Sequence, residues 1–163
     1  MSLKPVILLY DLNNTLVDEC AMLIGQTGLY TTINTYNEAN AREAMHQYNR
    51  GFGLLTNKLS CIIIGWNRHK RPRDQFLFKL RIEEKRSPFR QPTPVIMVTE
   101  EHRRDLKLRA LDPTEGNVAA YLQVDAFQGI LIDTLHKIVF GNRATELNSI
   151  AFAQLNAEEE AEE

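Results

Sequence analysis

The sequence predicts an α/β chain built as a (βα)5 unit, a doubly wound open parallel sheet with helices on both faces. Three observations predict it. Five apolar runs alternate with stretches of helical periodicity over about 140 residues. Three of those runs, PVILLYD (5–11), SCIIIG (60–65) and TPVIMVT (93–99), are nearly continuous in Val, Ile and Leu, as suits strands buried on both faces. The chain has 163 residues, 44% hydrophobic and 25% charged, which is one domain's worth of ordinary globular composition.

In order, the strands are expected at 5–11, 29–34 (LYTTIN), 60–65, 93–99 and 119–124 (AAYLQV). The first helix, 14–27, puts Leu16, Cys20, Leu23 and Ile24 on one face. Asn13 or Asn14 caps its start and Gly28 closes it. The second, 37–49, opens on Asn37 and turns Ala41, Ala44, Met45 and Tyr48 inward. The third, 73–85, buries Phe76, Leu77 and Leu80 under an Arg-rich outer face. The fourth, 100–111, groups Leu106, Ala110 and Leu111, and the fifth, 126–140, lines up Leu131, Leu135, Ile138 and Val139. Residues 1–141 form the predicted domain. Residues 142–163 read as a helical extension or linker, with Leu147, Ile150 and Leu155 apolar and an acidic end, AEEEAEE.

Composition narrows the function classes. Cys20 and Cys61 sit in apolar runs without C-x-x-C spacing, so they read as buried hydrophobes in a reducing compartment. No run reaches the roughly 18 apolar residues of a membrane span. The start, MSLKPVILLYD, lacks the pattern of a signal peptide, and a cytoplasmic location is expected. The net charge of −2 hides an asymmetry, because residues 68–109 hold 13 of the 19 Lys and Arg but six of the 21 Asp and Glu.

In a doubly wound sheet the functional crevice lies beyond the carboxyl ends of the strands. There the residues resemble a known family. YDLNN (10–14), the 28–45 stretch GLYTTINTYNEANAREAM, TPVIMVTE and AAYLQVDAF are similar, in order and spacing, to the receiver domain of bacterial two-component response regulators over about residues 4–140. The resemblance implies a flavodoxin-like strand order 2-1-3-4-5. It also implies a crevice in which two acids on the first strand bind Mg²⁺, an aspartate ending the third strand accepts a phosphoryl group, and a Thr and a Lys complete the site. Metal and lysine are needed there because a carboxylate and a phosphoryl donor repel one another.

Carried onto this chain, that pattern is largely lost. Asp11 keeps the first acid and Thr99 the hydroxyl. Leu12 stands at the second acid, and Gly65, followed by Trp66, stands at the acceptor. The lysine position falls on Asp125, or on Val124 one residue earlier, with Ala126 in place of the following proline. The resemblance therefore implies a degenerate receiver, a pseudo-receiver lacking its phosphoacceptor. It would have no catalytic residue, metal or cofactor, and it would act in signal transduction by protein–protein contact. The expected partners are a signalling kinase, an output domain or a second copy of the chain, with a homodimer through the fourth helix, fifth strand and fifth helix. No nucleic-acid or membrane partner is expected.

Arg68, His69, Lys70, Arg71 and Arg73 follow the third strand, and Arg103 and Arg104 follow the fourth, so both groups should line one edge of the crevice. They read either as an anion- or partner-binding basic edge or as side chains that neutralise Asp11 and Asp125 or stand in solvent. Asp74 reads as a helix N-terminal acid. A second resemblance names an alternative function. DLNNTLVD (11–18) is similar to the D-x-D-G-T-L-V-D opening of haloacid-dehalogenase-type phosphatases, with Asp11 as nucleophile. Against it, Asn13 replaces the second Asp, which is the general acid/base, and no clear motif lysine or paired G-D-x-x-x-D stands late in the chain.

Overall fold

The computed structural model describes residues 3–49, 58–88 and 90–162. Residues 1, 2 and 163, the two ends of the segments discussed above, lie outside it. The elements run β1 (Val6–Tyr10), α1 (Asn14–Gly25), β2 (Thr31–Thr35), α2 (Glu38–Asn49), β3 (Leu59–Ile64), α3 (Phe76–Lys85), β4 (Val95–Thr99), α4 (Arg104–Leu111), β5 (Ala120–Gln123), α5 (Leu131–Val139) and α6 (Ala144–Glu162). The sheet is wholly parallel, in the order β2-β1-β3-β4-β5. The predicted fold class and strand order are both met.

The β1 and β4 residues are all buried, as the continuous apolar runs require. Alternate residues of the strands feed two cores. Ile7, Leu9, Cys61, Ile63, Ile96 and Val98 face α1 and α5. Leu8, Ile62, Ile64, Val95 and Met97 face the side covered by α2, α3 and α4. Asn13 caps α1, its Oδ1 accepting the N–H groups of Thr15 at 3.0 Å and Leu16 at 3.4 Å. Asn37 does the same for the N–H of Asn40 at 2.8 Å. Both cysteines are buried free thiols, whose desolvation pushes each pKa up to about 12.

Three helices start later than their periodicity predicts. The α3 segment opens as one turn of 3₁₀ helix at Pro72–Asp74, breaks at an extended Gln75, and becomes α-helical only at Phe76. Residues 100–103 are loop before α4, and residues 124–130 are turn before α5. Before α3 and α4 the first predicted turn is spent on the crevice-side loop, where Gln75, Thr99 and Glu101 side chains bond to backbone and compete with helix.

The last helix wraps around the sheet edge. Ala144 and Leu147 pack against the α1/α5 core, whereas Ala151, Phe152 and Leu155 pack against the other core, with β5 between them. Asn148 is buried and its Nδ2 donates to the carbonyls of Leu111 (2.8 Å) and Val118 (2.7 Å). Arg104 Nη2 approaches the carbonyl of Leu155 at 3.5 Å. The pairs 148/111 and 155/104 show α6 lying antiparallel to α4 over about two turns.

Candidate crevice at the carboxyl edge of the sheet

Tyr10 of β1 pairs in register with Ile64 of β3, so Asp11 and Gly65, the next residue on each strand, leave the sheet side by side. The Asp11 carboxylate lies over Gly65. A β-carbon at position 65 would collide with Asp11 Oδ2, and would stand 3.1 Å from both Asp11 Cγ and the Val98 carbonyl oxygen. The space that an acceptor side chain on β3 would enter is thus filled by the carboxylate from β1. Asp11 Oδ1 also accepts the N–H of Asn13 at 2.9 Å, which ties the carboxylate to the α1 cap.

Burial raises the Asp11 pKa above its ordinary 3.8. The N–H groups of Asn13 and Leu12 oppose the rise, and the nearby Glu100 charge adds to it. The ionised form is therefore disfavoured in the fold. Asp11 imposes no penalty while it is protonated in both states, and its share of stability is lost as pH rises through the raised pKa. Asp11→Asn, which keeps the acceptor oxygen, is expected to raise the melting temperature at about pH 7 and to leave it little changed near pH 3.5, below the unfolded pKa of about 3.9. Thermal melts of both proteins across that range check this. An equal gain at both ends contradicts it.

The other predicted positions are unevenly gathered. Thr99 is buried at the end of β4, and its Oγ1 accepts the N–H of Glu101 at 3.0 Å. Leu12 is 50% exposed. With Asp11, Gly65, Trp66, Lys70 and Gln75 it lines a shallow cleft. Asp125 is exposed in the turn after β5 and does not line that cleft, and Val124 is half-buried. Trp66 is half-buried, and its Nε1–H donates to the Tyr121 hydroxyl at 3.0 Å. That hydroxyl donates in turn to the Glu101 carbonyl at 3.0 Å, and burial pushes the Tyr121 pKa up to about 12. The ends of β3 and β5 and the loop after β4 are thereby joined.

The basic residues meet acids, but not the acids expected. Arg68 pairs with Glu100. Lys70 reaches Glu38 at 2.8 Å and Lys79 reaches the same carboxylate at 3.4 Å. Burial would raise Glu38, yet the bonds and charges of Lys70 and Lys79 outweigh it and hold its pKa below the ordinary value. Arg103 pairs with Asp105 at 2.7 Å, and Arg104 lies against α6. The expectation that Asp11 and Asp125 serve as the counter-charges is corrected: Glu38, Glu100 and Asp105 do so, because the loop after β3 folds toward the start of α2. Arg71 and Arg73 are exposed, as are His69 and Asp74. Gln75 holds that loop in place, a role invisible in the sequence. Its Oε1 accepts the Asn67 N–H at 3.0 Å, and its Nε2 donates to the carbonyls of Asn67 (2.6 Å) and Lys70 (3.2 Å).

Among the described residues, no three or more His, Cys, Asp or Glu side chains are grouped so that they could hold a metal ion. No helix among them is long and apolar enough to cross a membrane.

The fold places the chain beside known structures. It is similar to the signal receiver domain of an HD domain-containing protein from Pseudomonas fluorescens Pf-5. There the TM-score is 0.62 at 17% identity, over 86% of this chain and 98% of that one. It is also similar to a response regulator receiver domain protein from Clostridium thermocellum, with TM-score 0.57, 18% identity, and 90% and 98% of the two chains covered. A response regulator from Thermotoga maritima gives 0.62, 14%, 84% and 98%. At these identities the likeness is one of fold, and the fold is the receiver fold. The sequence matches no family model, and no curated protein matches it significantly.

Proposed function

We propose that this chain is a degenerate receiver domain that works in signal transduction through protein–protein contact and is not phosphorylated at the usual site. The single observation that carries the reading is the Asp11 carboxylate standing where the side chain of residue 65 would be. A glycine at the acceptor position has no group to phosphorylate. The carboxylate that fills its place is desolvated, bonded to its own helix cap and lacks a second acid beside it at Leu12. A hydrolase using Asp11 would need a cation free to meet the phosphoryl group, and the lysine lining the same cleft, Lys70, is bonded to Glu38. No observation favours the phosphatase alternative over the receiver reading.

The partner is a protein. Arg71 and Arg73 are exposed, as are the ion-paired Arg68 and Arg103, and this edge suits an acidic partner surface such as a kinase or an output domain. A homodimer through α4, β5 and α5 would require α6 to leave, since α6 packs on all three. The reading is tested by melting the protein with and without Mg²⁺. A site that binds the ion in the folded state stabilises it by mass action, about 2.7 kcal/mol at a hundredfold excess over the dissociation constant. The expected result is an unchanged melting temperature, and a clear Mg²⁺-dependent rise overturns the reading.

A further inference from the structure

We propose that α6 is a cis-acting cover, docked over the β5 edge and the α4 surface, that opens as a unit and so controls access to that side of the domain. The inference rests on the protein-contact reading above and adds its regulation.

Four features of α6 support it. It closes the edge strand β5, whose outer backbone would otherwise be open to pairing. Its hold is small for its 19 residues: among its described side chains only Asn148 and Leu155 are buried. Leu147, Ala151 and Phe152 pack half-buried, and Ile150 is 46% exposed. Segments with so few buried contacts open at a lower free energy than the core. The polar part of the hold includes the two carbonyl bonds of Asn148 and the Arg104 Nη2 contact with the Leu155 carbonyl at 3.5 Å. The helix also continues past Leu155 with Ala157, Glu158, Glu160 and Ala161 exposed and no basic residue in its last turn, so carboxylates crowd the negative end of its dipole.

The joint to the domain is short, with only residues 140–143 non-helical between α5 and α6. Residues 140–143 form a tight turn in which the Phe140 and Gly141 N–H groups return to the His136 carbonyl. In the same turn Asn142 holds a left-handed φ of 54°. The surface that α6 covers is also joined to the crevice. Phe152 and Ala151 pack on the same core cluster as Tyr121 and Trp66, and those two are hydrogen-bonded to one another. Lifting α6 would expose the part of this core that Ala151, Phe152 and Leu155 cover, and Trp66, which borders the same core, reports whether the change reaches the crevice.

The test is native-state hydrogen exchange on the full chain, with Trp66 emission read in parallel. In the wild type, amides of 144–155 are expected to open well before those of β1 and β3. Asn148→Ala is expected to speed their exchange about ten- to a hundredfold, the loss of two hydrogen bonds, and to shift Trp66 emission to the red while β1 and β3 keep their protection. If α6 exchanges only together with β1 and β3, it is part of the core and the inference is overturned. If α6 opens and Trp66 does not respond, the link to the crevice is overturned. Should Asn148→Ala fail to fold, the wild-type exchange pattern alone decides whether α6 opens separately. None of these outcomes depends on Mg²⁺ or phosphoryl uptake, so failure here is distinct from failure of the receiver reading.

Discussion

Gly65→Ala is expected to destabilise the protein by about 0.5–1.5 kcal/mol, the net worth of the Asn13 N–H bond that the Asp11 carboxylate gives up when it turns aside, and the cost should largely vanish when Asp11→Ala is made in the same chain. The added methyl collides with the Asp11 carboxylate, and the Val98 carbonyl limits retreat on the other side. Removing that carboxylate empties the space, so the pair cannot be additive. A urea-unfolding cycle of the four proteins measures the coupling. Additive effects would mean that Asp11 does not occupy the place of a side chain at 65. The site would then be open to an acceptor introduced by mutation.

The largest loss is expected far from the crevice. Arg81 and Glu84 of α3 form an ion pair at 2.7 Å with their side chains 6% and 4% exposed. Arg81 also donates to the carbonyls of Gly116 (2.8 Å) and Thr93 (2.8 Å), and Glu84 accepts the Thr93 N–H at 2.6 Å. The pair holds the entry to β4 and the loop before β5, the same loop whose Val118 carbonyl receives Asn148. Glu84→Ala leaves a buried guanidinium without its counter-charge, which costs about 3–5 kcal/mol. Arg81→Met together with Glu84→Leu should recover part of that loss, since apolar replacements remove both charges at once. The recovery stays partial because the Gly116 and Thr93 carbonyls lose their donor. Urea midpoints decide it. A Glu84→Ala loss below about 1 kcal/mol, the range of a surface pair, would contradict the burial of this one.

These cases show what was readable in the sequence and what was not. Strand positions and sheet order were readable because buried parallel strands leave unbroken runs such as VILLY and CIII, and because alternation with helices admits few topologies. The adjacency of Asp11 and Gly65 follows from β1 and β3 being neighbours. That Asp11 folds over Gly65 was not readable, because it depends on a side-chain rotamer and on the Asn13 turn. Arg81 fell on the Arg-rich outer face expected of the third helix, and only the loops packed against α3 bury it together with Glu84. Glu38, Glu100 and Asp105 became the partners of the basic residues through loop geometry that no spacing rule carries. Gln75 was read as helix, and it is instead an extended residue that staples the loop after β3. The wrap of α6 across two cores was hidden by its weak apolar pattern, in which Ile150 faces water while Leu155 is buried.

The proposed pseudo-receiver crevice, filled from within by Asp11, would take no phosphoryl group. This is tested most directly by incubating the wild-type chain with Mg²⁺ and acetyl phosphate and reading its intact mass, with Trp66 emission followed in the same samples. The account predicts an unchanged mass and unchanged emission. A labile added phosphoryl group, mapped to Asp11 or Asp74, would contradict it and bring the phosphatase reading of DLNNTLVD forward.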